Sequence, residues 1–454
     1  MLRRPLIVAV VLSAFLLRAG SVSARLAALD PIVPPAPDTF TSALVEHGAQ
    51  LAAIGNCASC HTARGGAPYA GGLALTTPFG KIYSSNVTPD PQTGIGTWSE
   101  KAFARAMREG VSRGGRQLYP AFPYDHFTHT GDDDLNALYA FLMTRDPQRA
   151  KTPSNELHFP FGFRPLIAGW KWLFFDDKPF QPDPEHDAEW NRGAYLAQSL
   201  GHCGSCHTPR NALGAEKRGR TFDGGETESW YAPPLNAHSP SPQPWTVAQM
   251  TAYLRTGIAR DHAIAGGPMR EVTIDLAQAS EADVQAIATY VISIMDASMD
   301  SSTRTSSSEQ QMRAESSRQR SAQALAVTQN EASDHDGEEE QQRDARMKLG
   351  ASVYANTCAS CHDAGRGMSS NSALRLPLAI ALYEPDPRNL LHIIRDGIKP
   401  ADGESGRWMP DFNGALTNEQ LVALAAYLRH AAAASPPWPD LEQAVKQVAN
   451  EIPQ

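Results

Sequence analysis

The chain carries the same spacing of apolar residues in three widely separated places. In each place, apolar side chains stand at positions i, i+3, i+6 and i+7, and a polar residue precedes them. This spacing puts the apolar side chains on one face of an amphipathic helix, and the polar residue is typical of a helix start. The three predicted helices carry Leu135, Leu138, Phe141 and Leu142 after Asp132; Val284, Ile287, Tyr290 and Val291 after Ser280; and Leu421, Leu424, Tyr427 and Leu428 after Thr417.

Two further elements recur upstream of each of these helices. A middle helix ends at a glycine, which predicts left-handed helix caps at Gly110, Gly257 and Gly397. Further upstream, an amphipathic stretch contains Gly48, Gly193 or Gly350. The chain of 454 residues is therefore predicted to consist of helical repeats of about a hundred residues each.

Each repeat contains one Cys-x-x-Cys-His motif, and these motifs hold all six cysteines of the chain. Two thiols at i and i+3 can add to the two vinyl groups of a haem, and the next histidine can bind the iron as its proximal ligand. Disulfides would leave the histidines unexplained, and a zinc site needs a second ligand pair with its own spacing. The motifs therefore predict three covalently bound haems c, at Cys57, Cys60 and His61; at Cys203, Cys206 and His207; and at Cys358, Cys361 and His362.

The repeats together have the helical plan of small cytochromes c. We predict an all-α fold with three class I cytochrome c domains in tandem, in which two terminal helices cross and a third covers the haem. A loop before the last helix then supplies the sixth iron ligand. Met269 and Met409 each lie twelve residues beyond the glycine of the middle helix, in this loop. A lone methionine is usually a core residue, but two at the same offset favour ligation, which raises the haem potential.

The first repeat departs from this pattern. Twelve residues past Gly110 stands Phe122, which cannot bind iron. Three alternatives remain open: His126 as sixth ligand, which we favour; His129 in the same role; or a five-coordinate iron. A bis-histidine haem has a lower potential than a His/Met haem, so the first haem would be the lowest of a potential ramp.

The segments outside the repeats differ in character. Residues 1–24 have the pattern of a secretory signal peptide, and an uncleaved membrane anchor is the alternative. Export predicts a periplasmic protein, and we expect it to be attached to the outer face of the inner membrane. The predicted domains span 42–149, 187–297 and 347–432. The aromatic-rich segment 150–186 is interpreted as a packed inter-domain strap, or alternatively as an exposed docking patch. The polar segment 298–346 is predicted to be a disordered linker that tethers the third domain flexibly. In the C-terminal tail, 433–454, residues 439–452 are predicted to form a short helix packed on its own domain, or alternatively to lie on a membrane or a partner subunit.

The net charge argues against nucleic acid as a partner. The formal charge is -9, and removal of the signal peptide, which contains Arg3, Arg4 and Arg18 but no acidic residue, makes it -12. Nucleic-acid binding relies on basic surfaces that neutralise phosphates.

Several longer motifs resemble a known group, the three-haem cytochrome c subunits of bacterial periplasmic dehydrogenases. The resemblance rests on residues 55–62, 85–90, 93–99, 118–124, 201–211 and 267–269, and covers most of 42–297 and, more weakly, 347–430. It implies a partner catalytic subunit, which is a quinoprotein, a flavoprotein or a molybdenum hydroxylase, and transfer of electrons to ubiquinone or another carrier. Residues 122–128, 159–165 and 170–173 look most like the members paired with molybdenum hydroxylases, whereas Phe122 departs from the usual methionine.

Two other functions fit the same motifs. An open first haem could act as a peroxidase-like enzyme, with His126 as the base and Arg113 or Arg116 stabilising charge. Alternatively, the chain could be a free shuttle cytochrome without a dedicated dehydrogenase. Apart from the haem motifs, the sequence offers no nucleotide-binding fingerprint and no nucleophile elbow.

Overall fold

The computed structural model describes residues 26–296, 337–363, 375–398 and 409–451. The predicted signal peptide lies outside the described residues, as does most of the predicted linker. The chain divides into two compact units: one comprises residues 1–203 and 278–280, and the other comprises 204–277 and 281–454. Of the helices in these described ranges, none is long and apolar enough to cross a membrane.

The first unit contains the first repeat and the start of the second. A 3-10 turn, Pro37–Thr39, precedes the helices. These are α1 (Ser42–Ile54), α2 (Cys57–His61), α3 (Glu100–Glu109), α4 (Tyr124–Phe127), α5 (Asp132–Met143), α6 (Pro165–Phe174) and α7 (Ala188–Gln198). Helix α1 packs on α5, the helix predicted from Leu135 and its neighbours. Helix α3 ends at Gly110, whose φ of 58° and ψ of 39° give the predicted left-handed cap.

Gly48 makes the crossing of α1 and α5 possible. A Cβ atom at position 48 would lie 2.0 Å from the carbonyl oxygen of Ala137 and 2.7 Å from Cβ of Phe141. Only a residue without a side chain lets the two helix backbones approach this closely. The glycine that the sequence pattern picked out before the first Cys pair is therefore the contact point of the two helices.

Short antiparallel strands modify the all-α prediction. In the first unit, β1 (Ala74–Thr77), β2 (Gly80–Tyr83) and β3 (Glu156–Leu157) form a three-stranded sheet in that order. Leu75 lies opposite Ile82, and Gly80 lies opposite Leu157. Strand pairing therefore gives regular structure to part of the loops between the helices. The third strand, β3, belongs to the segment 150–186 that was predicted to be a strap.

The rest of the strap is packed on one side and exposed on the other. Ile167 of α6 is buried, and the Lys171 ammonium donates hydrogen bonds to the carbonyl oxygens of Glu109 and Gly110. The opposite side of the segment consists of exposed apolar residues: Phe159, Phe161, Phe163, Leu166, Trp172 and Leu173. We call these six residues the aromatic patch.

Helix α7 groups with the first unit although the sequence assigned it to the second domain. The Tyr195 hydroxyl donates to Asp134 Oδ2 at 2.7 Å and accepts from the backbone N–H of Gly131 at 2.9 Å. Arg192 forms an ion pair with Asp134 at 3.5 Å. These contacts join α7 to the start of α5, a pairing that no local sequence pattern announces.

The second unit contains the remainder of the second repeat and the third. Its elements are α8 (Gly204–His207), β4 (Gly225–Thr227), β5 (Trp230–Ala232), α9 (Val247–Thr256), β6 (Ile258–Ala259), β7 (Ala263–Ile264), α10 (Pro268–Leu276), α11 (Glu281–Asp296), α12 (Gly337–Val353), a π-helical turn (Tyr354–Cys358), α13 (Ala359–His362), two 3-10 turns (Leu376–Leu378 and Ile380–Leu382), α14 (Arg388–Asp396), α15 (Asn418–Ala431) and α16 (Leu441–Asn450). Strand β4 pairs with β5, and β6 pairs with β7.

The third repeat repeats the helix crossing of the first. Helix α12 packs on α15, and a Cβ atom at Gly350 would lie 2.2 Å from the carbonyl oxygen of Ala423 and 2.6 Å from Cβ of Tyr427. A capping box at Thr417 starts α15. The buried core of this repeat includes Val353, Leu382, Leu391, Leu424, Leu428 and Trp438, and the tail helix α16 adds Leu441, Val445 and Val448 to it.

Two expectations about the third repeat are revised. Residues 337–346, assigned to the linker, are the first part of α12. The repeat is also not separate from the second one, because both lie in the second unit and the Asn389 side chain hydrogen-bonds to the backbone of Tyr231. The polar composition of residues 298–346 does not indicate that the third repeat packs on the second.

Candidate functional site

The first Cys-x-x-Cys-His motif forms a single short helix. Asn56, with a left-handed φ of 49°, turns the chain out of α1, and α2 then carries Cys57, Cys60 and His61. The Nδ1 atom of His61 lies 2.6 Å from the carbonyl oxygen of Ser85. A proton on Nδ1 donated to this carbonyl leaves Nε2 as the nitrogen for a metal. Desolvation lowers the pKa of His61, although the hydrogen bond opposes it, which favours the neutral imidazole that binds iron.

The second motif has the same histidine arrangement. The backbone N–H of Cys203 donates to the carbonyl oxygen of Ala197 at the end of α7. Further along, α8 carries Cys206 and His207, and Nδ1 of His207 lies 2.7 Å from the carbonyl oxygen of Pro233. Desolvation lowers the pKa of His207 and raises the pKa of the Cys206 thiol. In both motifs a backbone carbonyl thus fixes the orientation of the imidazole.

The third motif begins differently. Helix α12 runs into the π-helical turn that ends at Cys358, and α13 then carries Cys361 and His362. Burial raises the pKa of the Cys358 thiol to about 11. The Tyr354 hydroxyl donates to Asp363 at 2.6 Å and so links the turn to the residue after His362. Residues 364–374, which follow, lie outside the described part of the chain.

The residues of the three motifs fit covalent haem. The six cysteines form three pairs at i and i+3, the spacing that two thioether bonds to one haem require. Each motif histidine lies on the short helix that also holds the second cysteine. The cysteines of each motif would hold a haem through thioether bonds and the adjacent histidine would bind its iron, and the haem would supply one-electron redox chemistry.

The two methionines predicted as sixth ligands both precede the last helix of their repeats, but only Met409 lies in a loop as expected, whereas Met269 lies in α10. Met269 is the second residue of α10, directly after Gly267 and Pro268, and its side chain is half-buried. Met409 is also half-buried, packs against the core of the third repeat, and accepts a hydrogen bond at its carbonyl from the N–H of Ile398. Their binding to iron stays a prediction.

In the first repeat, both candidate histidines have backbone partners. His126 lies on α4, and its Nδ1 is 3.0 Å from the carbonyl oxygen of Gln198. Nδ1 of His129 is 2.6 Å from the carbonyl oxygen of Lys178, and desolvation lowers the pKa of this histidine. The Phe122 ring packs edge-on against Phe127, with 5.2 Å between their centroids. The sixth ligand of this repeat likewise stays a prediction.

The two arginines named for peroxidase-like chemistry differ in exposure. Arg113 donates a hydrogen bond to the carbonyl oxygen of Leu29 at 3.1 Å, whereas Arg116 is exposed to solvent.

A buried polar group of the second unit was missed by the sequence reasoning. Glu384 is buried, and it accepts a hydrogen bond from the Asn389 amide at 2.8 Å. Desolvation raises the pKa of Glu384 to about 8. In the same repeat, His392 is fully buried and stacks on Trp230 of the second repeat. Because Trp230 and His392 belong to different repeats, spacing along the chain could not reveal that they meet.

Comparisons with known proteins identify the family. Residues 45–146 match the family described as Cytochrome c, and residues 345–428 match Cytochrome C oxidase, cbb3-type, subunit III. The chain is 43% identical over 436 residues to a nicotinate dehydrogenase subunit of Pseudomonas putida, covering 93% of this chain but only 33% of that protein. It is 34% identical to the fructose dehydrogenase cytochrome subunit of Gluconobacter japonicus, of which it covers 80%.

A third relative extends the comparison. The gluconate 2-dehydrogenase cytochrome c subunit of Pantoea cypripedii is 34% identical over 420 residues, which are 87% of either chain. Together with the oriented histidines of the first two motifs, these similarities show what the chain is: it belongs to the family of cytochrome c subunits of dehydrogenases, and is a largely helical haem c protein that transfers electrons and is not itself the catalytic subunit.

Proposed function

We propose that this chain is a periplasmic three-haem relay that takes electrons from the catalytic subunit of a dehydrogenase and passes them to ubiquinone or a downstream carrier. The observation that carries the proposal is the threefold recurrence of the Cys-x-x-Cys-His turn, each within its own helical repeat. The crossing glycines Gly48 and Gly350 further support separate cytochrome c domains at the two ends of the chain. The three tandem domains are residues 42–149, 187–297 and 347–432.

Haem counting tests the number of sites. The purified holoprotein is expected to contain three haems per chain when its pyridine haemochrome absorbance is compared with its protein concentration. Replacing Cys358 and Cys361 together by alanine should remove one haem and leave two. A matched substitution, Cys57 and Cys60 to alanine, should do the same at the first motif. A wild-type chain with two haems, or an unchanged count in either variant, would contradict the proposal.

The sixth ligands are proposed to be Met269 and Met409 for the second and third haems, and His126 for the first. Met269→Ala and Met409→Ala should each lower one reduction potential and abolish one near-infrared Fe–S charge-transfer band of the ferric protein. His126→Ala should turn one haem high-spin and able to bind carbon monoxide, whereas His129→Ala should leave the spectrum unchanged. The opposite result for the two histidines would move the ligand to His129. Carbon monoxide binding by the wild type would instead indicate an open first haem.

The partner is proposed to be a molybdenum hydroxylase that acts on an N-heterocycle. The support is the higher identity to the nicotinate dehydrogenase subunit, 43%, than to the fructose and gluconate dehydrogenase subunits, 34% each. The native complex should contain molybdenum by elemental analysis, and nicotinate should reduce its haems. Reduction by fructose or gluconate without molybdenum would assign the chain to a flavoprotein or quinoprotein partner instead. A protein purified from its native cells without any associated subunit would favour a free shuttle cytochrome.

Peripheral membrane attachment is proposed to occur through the aromatic patch. Phe159 is 97% exposed and Trp172 is 78% exposed. Between residues 159 and 173, the two cationic side chains are turned toward the protein: Arg164 donates to the carbonyl oxygen of Gln117, and Lys171 donates to that of Gly110. The outward side of residues 159–173 therefore has aromatic rings without cationic side chains among them, and exposed aromatic rings are typical of protein surfaces that sit in the interface of a bilayer.

Vesicle binding tests this attachment. Phe159→Ser combined with Trp172→Ser should abolish co-sedimentation of the holoprotein with phospholipid vesicles that contain ubiquinone. Val33→Ser is the control, because Val33 is 87% exposed and lies outside the patch. If the double variant still binds vesicles but no longer co-purifies with the dehydrogenase subunit, the patch contacts the protein partner and not the membrane.

A further inference from the structure

The second and third repeats meet at a contact made largely by one side-chain amide. The backbone N–H of Tyr231 in β5 donates to Asn389 Oδ1 at 3.0 Å, and Asn389 Nδ2 donates to the carbonyl oxygen of Tyr231 at 2.7 Å. The side-chain amide thereby pairs with the edge of β5 as another strand would. Arg388, the preceding residue, forms an ion pair with Glu226 at 2.6 Å. We call the contact between β4–β5 and α14 the Trp230 interface.

Its centre is an aromatic stack shielded from water. The rings of Trp230 and His392 lie 4.8 Å apart between centroids and 21° from parallel. Trp230 is 8% exposed, and His392 is fully buried. On its other sides, His392 faces the Arg395 guanidinium at 3.2 Å, the Glu451 carboxylate at 3.3 Å and the Asp396 carboxylate at 3.7 Å. Burial this complete is typical of a permanent contact, because a transient surface would leave such groups hydrated.

A second strip of contacts joins the same two repeats. The backbone N–H of Ile380 donates to the carbonyl oxygen of His262 at 2.9 Å, and Arg375 forms an ion pair with Asp261 at 3.6 Å. Because the two repeats touch along two separate lines of contact, neither repeat can rotate about one line without breaking the other. The third repeat is therefore fixed on the second within this unit.

On the second repeat, the interface lies directly beside the short loop of residues 265–267, which leads into α10 and Met269. Gly267 has a φ of 51°, and a Cβ atom there would lie 2.2 Å from the indole ring of Trp230. Only a glycine can thus fit under the indole, two residues before Met269. The Trp230 ring contacts His392 in one direction and this loop in the other.

On the third repeat, the interface helix also leads to the second methionine. Helix α14 ends at Gly397, and the next N–H, that of Ile398, donates to the carbonyl oxygen of Met409 at 2.8 Å. The N–H of Phe412 donates to the carbonyl oxygen of Ile394 within α14. The backbone around Met409 is therefore held by the same helix whose residues 389 and 392 form the interface.

We propose that the Trp230 interface is the electron-transfer contact between the second and third haems, with Asn389, His392 and Trp230 as positioning residues. This inference rests on the proposed function, since it needs haem at both motifs. One electron crosses, so that one iron changes from ferrous to ferric as the other changes from ferric to ferrous, and no proton or bond is exchanged. The interface fixes the distance between the segments that carry Met269 and Met409, and electron-transfer rates fall steeply as the distance between the redox centres grows.

The test opens the interface without altering either haem motif. In the full-length holoprotein, Asn389→Asp places a carboxylate oxygen against the carbonyl of Tyr231 and the carboxyl of Glu384 at nearly unchanged volume. Asn418→Ala, an exposed asparagine at the start of α15, is the matched control. Hydrogen–deuterium exchange should speed up in β5 and α14 of Asn389→Asp only. Haem content and the individual reduction potentials should not change.

Electron transfer is then measured directly. After a light pulse delivers one electron per molecule, redistribution between the haems should slow by roughly tenfold or more in Asn389→Asp, because small displacements have large effects on rates. An unchanged redistribution rate with an opened interface would refute the electron-transfer role. Unchanged hydrogen exchange would refute the positioning role of Asn389. A haem count below three in the wild type would instead refute the proposed function, which separates the two failures.

Discussion

Alanine in place of Gly48 tests whether the crossing of α1 and α5 is as tight as the structure indicates. The added Cβ atom would lie 2.0 Å from the Ala137 carbonyl oxygen, 2.6 Å from its carbon and 2.7 Å from Cβ of Phe141. The nearest atoms belong to the backbone of α5, which cannot rotate out of the way as a long side chain can. The two helices must therefore separate by more than 1 Å at their crossing to restore ordinary contact.

The expected cost follows from two opposing effects. Overpacking of a closely packed core costs about 1–3 kcal/mol, and the rigid backbone here favours the upper end. Alanine inside a helix recovers up to about 1 kcal/mol relative to glycine. We expect Gly48→Ala to lower the free energy of unfolding of the first domain by about 2 kcal/mol, and its Tm by roughly 10 °C.

Thermal unfolding of the holoprotein, followed by circular dichroism in the Soret and far-ultraviolet regions, measures this loss. Gly169→Ala is the matched control, because Gly169 lies inside α6 with no heavy atom within 4 Å of the added Cβ. It should leave Tm unchanged or raise it slightly. Gly350→Ala should reproduce the loss at the third domain. A Gly48→Ala protein as stable as the Gly169→Ala protein would refute the reasoning.

Two pH dependences follow from buried groups of the second unit. The pKa of Glu384 is raised to about 8 by desolvation, so the folded protein binds an extra proton and loses stability as the pH rises from 4.5 to 8. Glu384→Gln should remove this dependence of the free energy of unfolding on pH and raise that free energy at pH 8 by about 2–4 kcal/mol. Urea unfolding from pH 5 to 8.5 measures both effects. The same pH dependence in the variant as in the wild type would contradict a neutral Glu384. The pKa of His262 is lowered to about 4 by desolvation beneath Trp245, where Ser241 and Gln249 hold the neutral ring. Stability should therefore fall as the pH drops from 6.5 to 4, and His262→Gln should flatten that limb in urea unfolding measured from about pH 4 to 7. An equal slope in both proteins would contradict a neutral His262.

The helices and their ends could be predicted from sequence because the signals are local. The apolar spacing predicted α5, α11 and α15, and Thr417 starts α15 with a capping box. Gly110 and Gly257 adopt the predicted left-handed caps. Gly397 has a positive φ of 68° but a ψ of -171°, so it does not continue the left-handed turn. The reason is that Ile398 instead extends toward Met409 and hydrogen-bonds its carbonyl.

The contacts between repeats could not be predicted, because they join residues far apart in the chain. Nothing in the spacing around Asn389 indicates that its amide pairs with Tyr231, 158 residues away. The same holds for Tyr195 and Asp134, which draw α7 into the first unit. In the strap, the aromatic composition predicted burial but not which residues would be buried. Helix α6 can bury only one of its faces, and Trp172 on the other face is 78% exposed.

The short hairpins, which an all-α prediction leaves out, explain how the histidines of the first two motifs are oriented. Ser85, whose carbonyl accepts from His61, follows the end of β2 by two residues, and Pro233, whose carbonyl accepts from His207, directly follows β5. In both repeats, the second strand of a hairpin therefore delivers the carbonyl that orients the imidazole. No such hairpin occurs in the described residues 375–398 of the third repeat, where two 3-10 turns lead into α14. The hairpin of the second repeat thus has two roles: one end of β5 orients His207, and Trp230 and Tyr231 dock the third repeat. The orientation of this motif histidine and the contact with the third repeat therefore depend on the same three-residue strand.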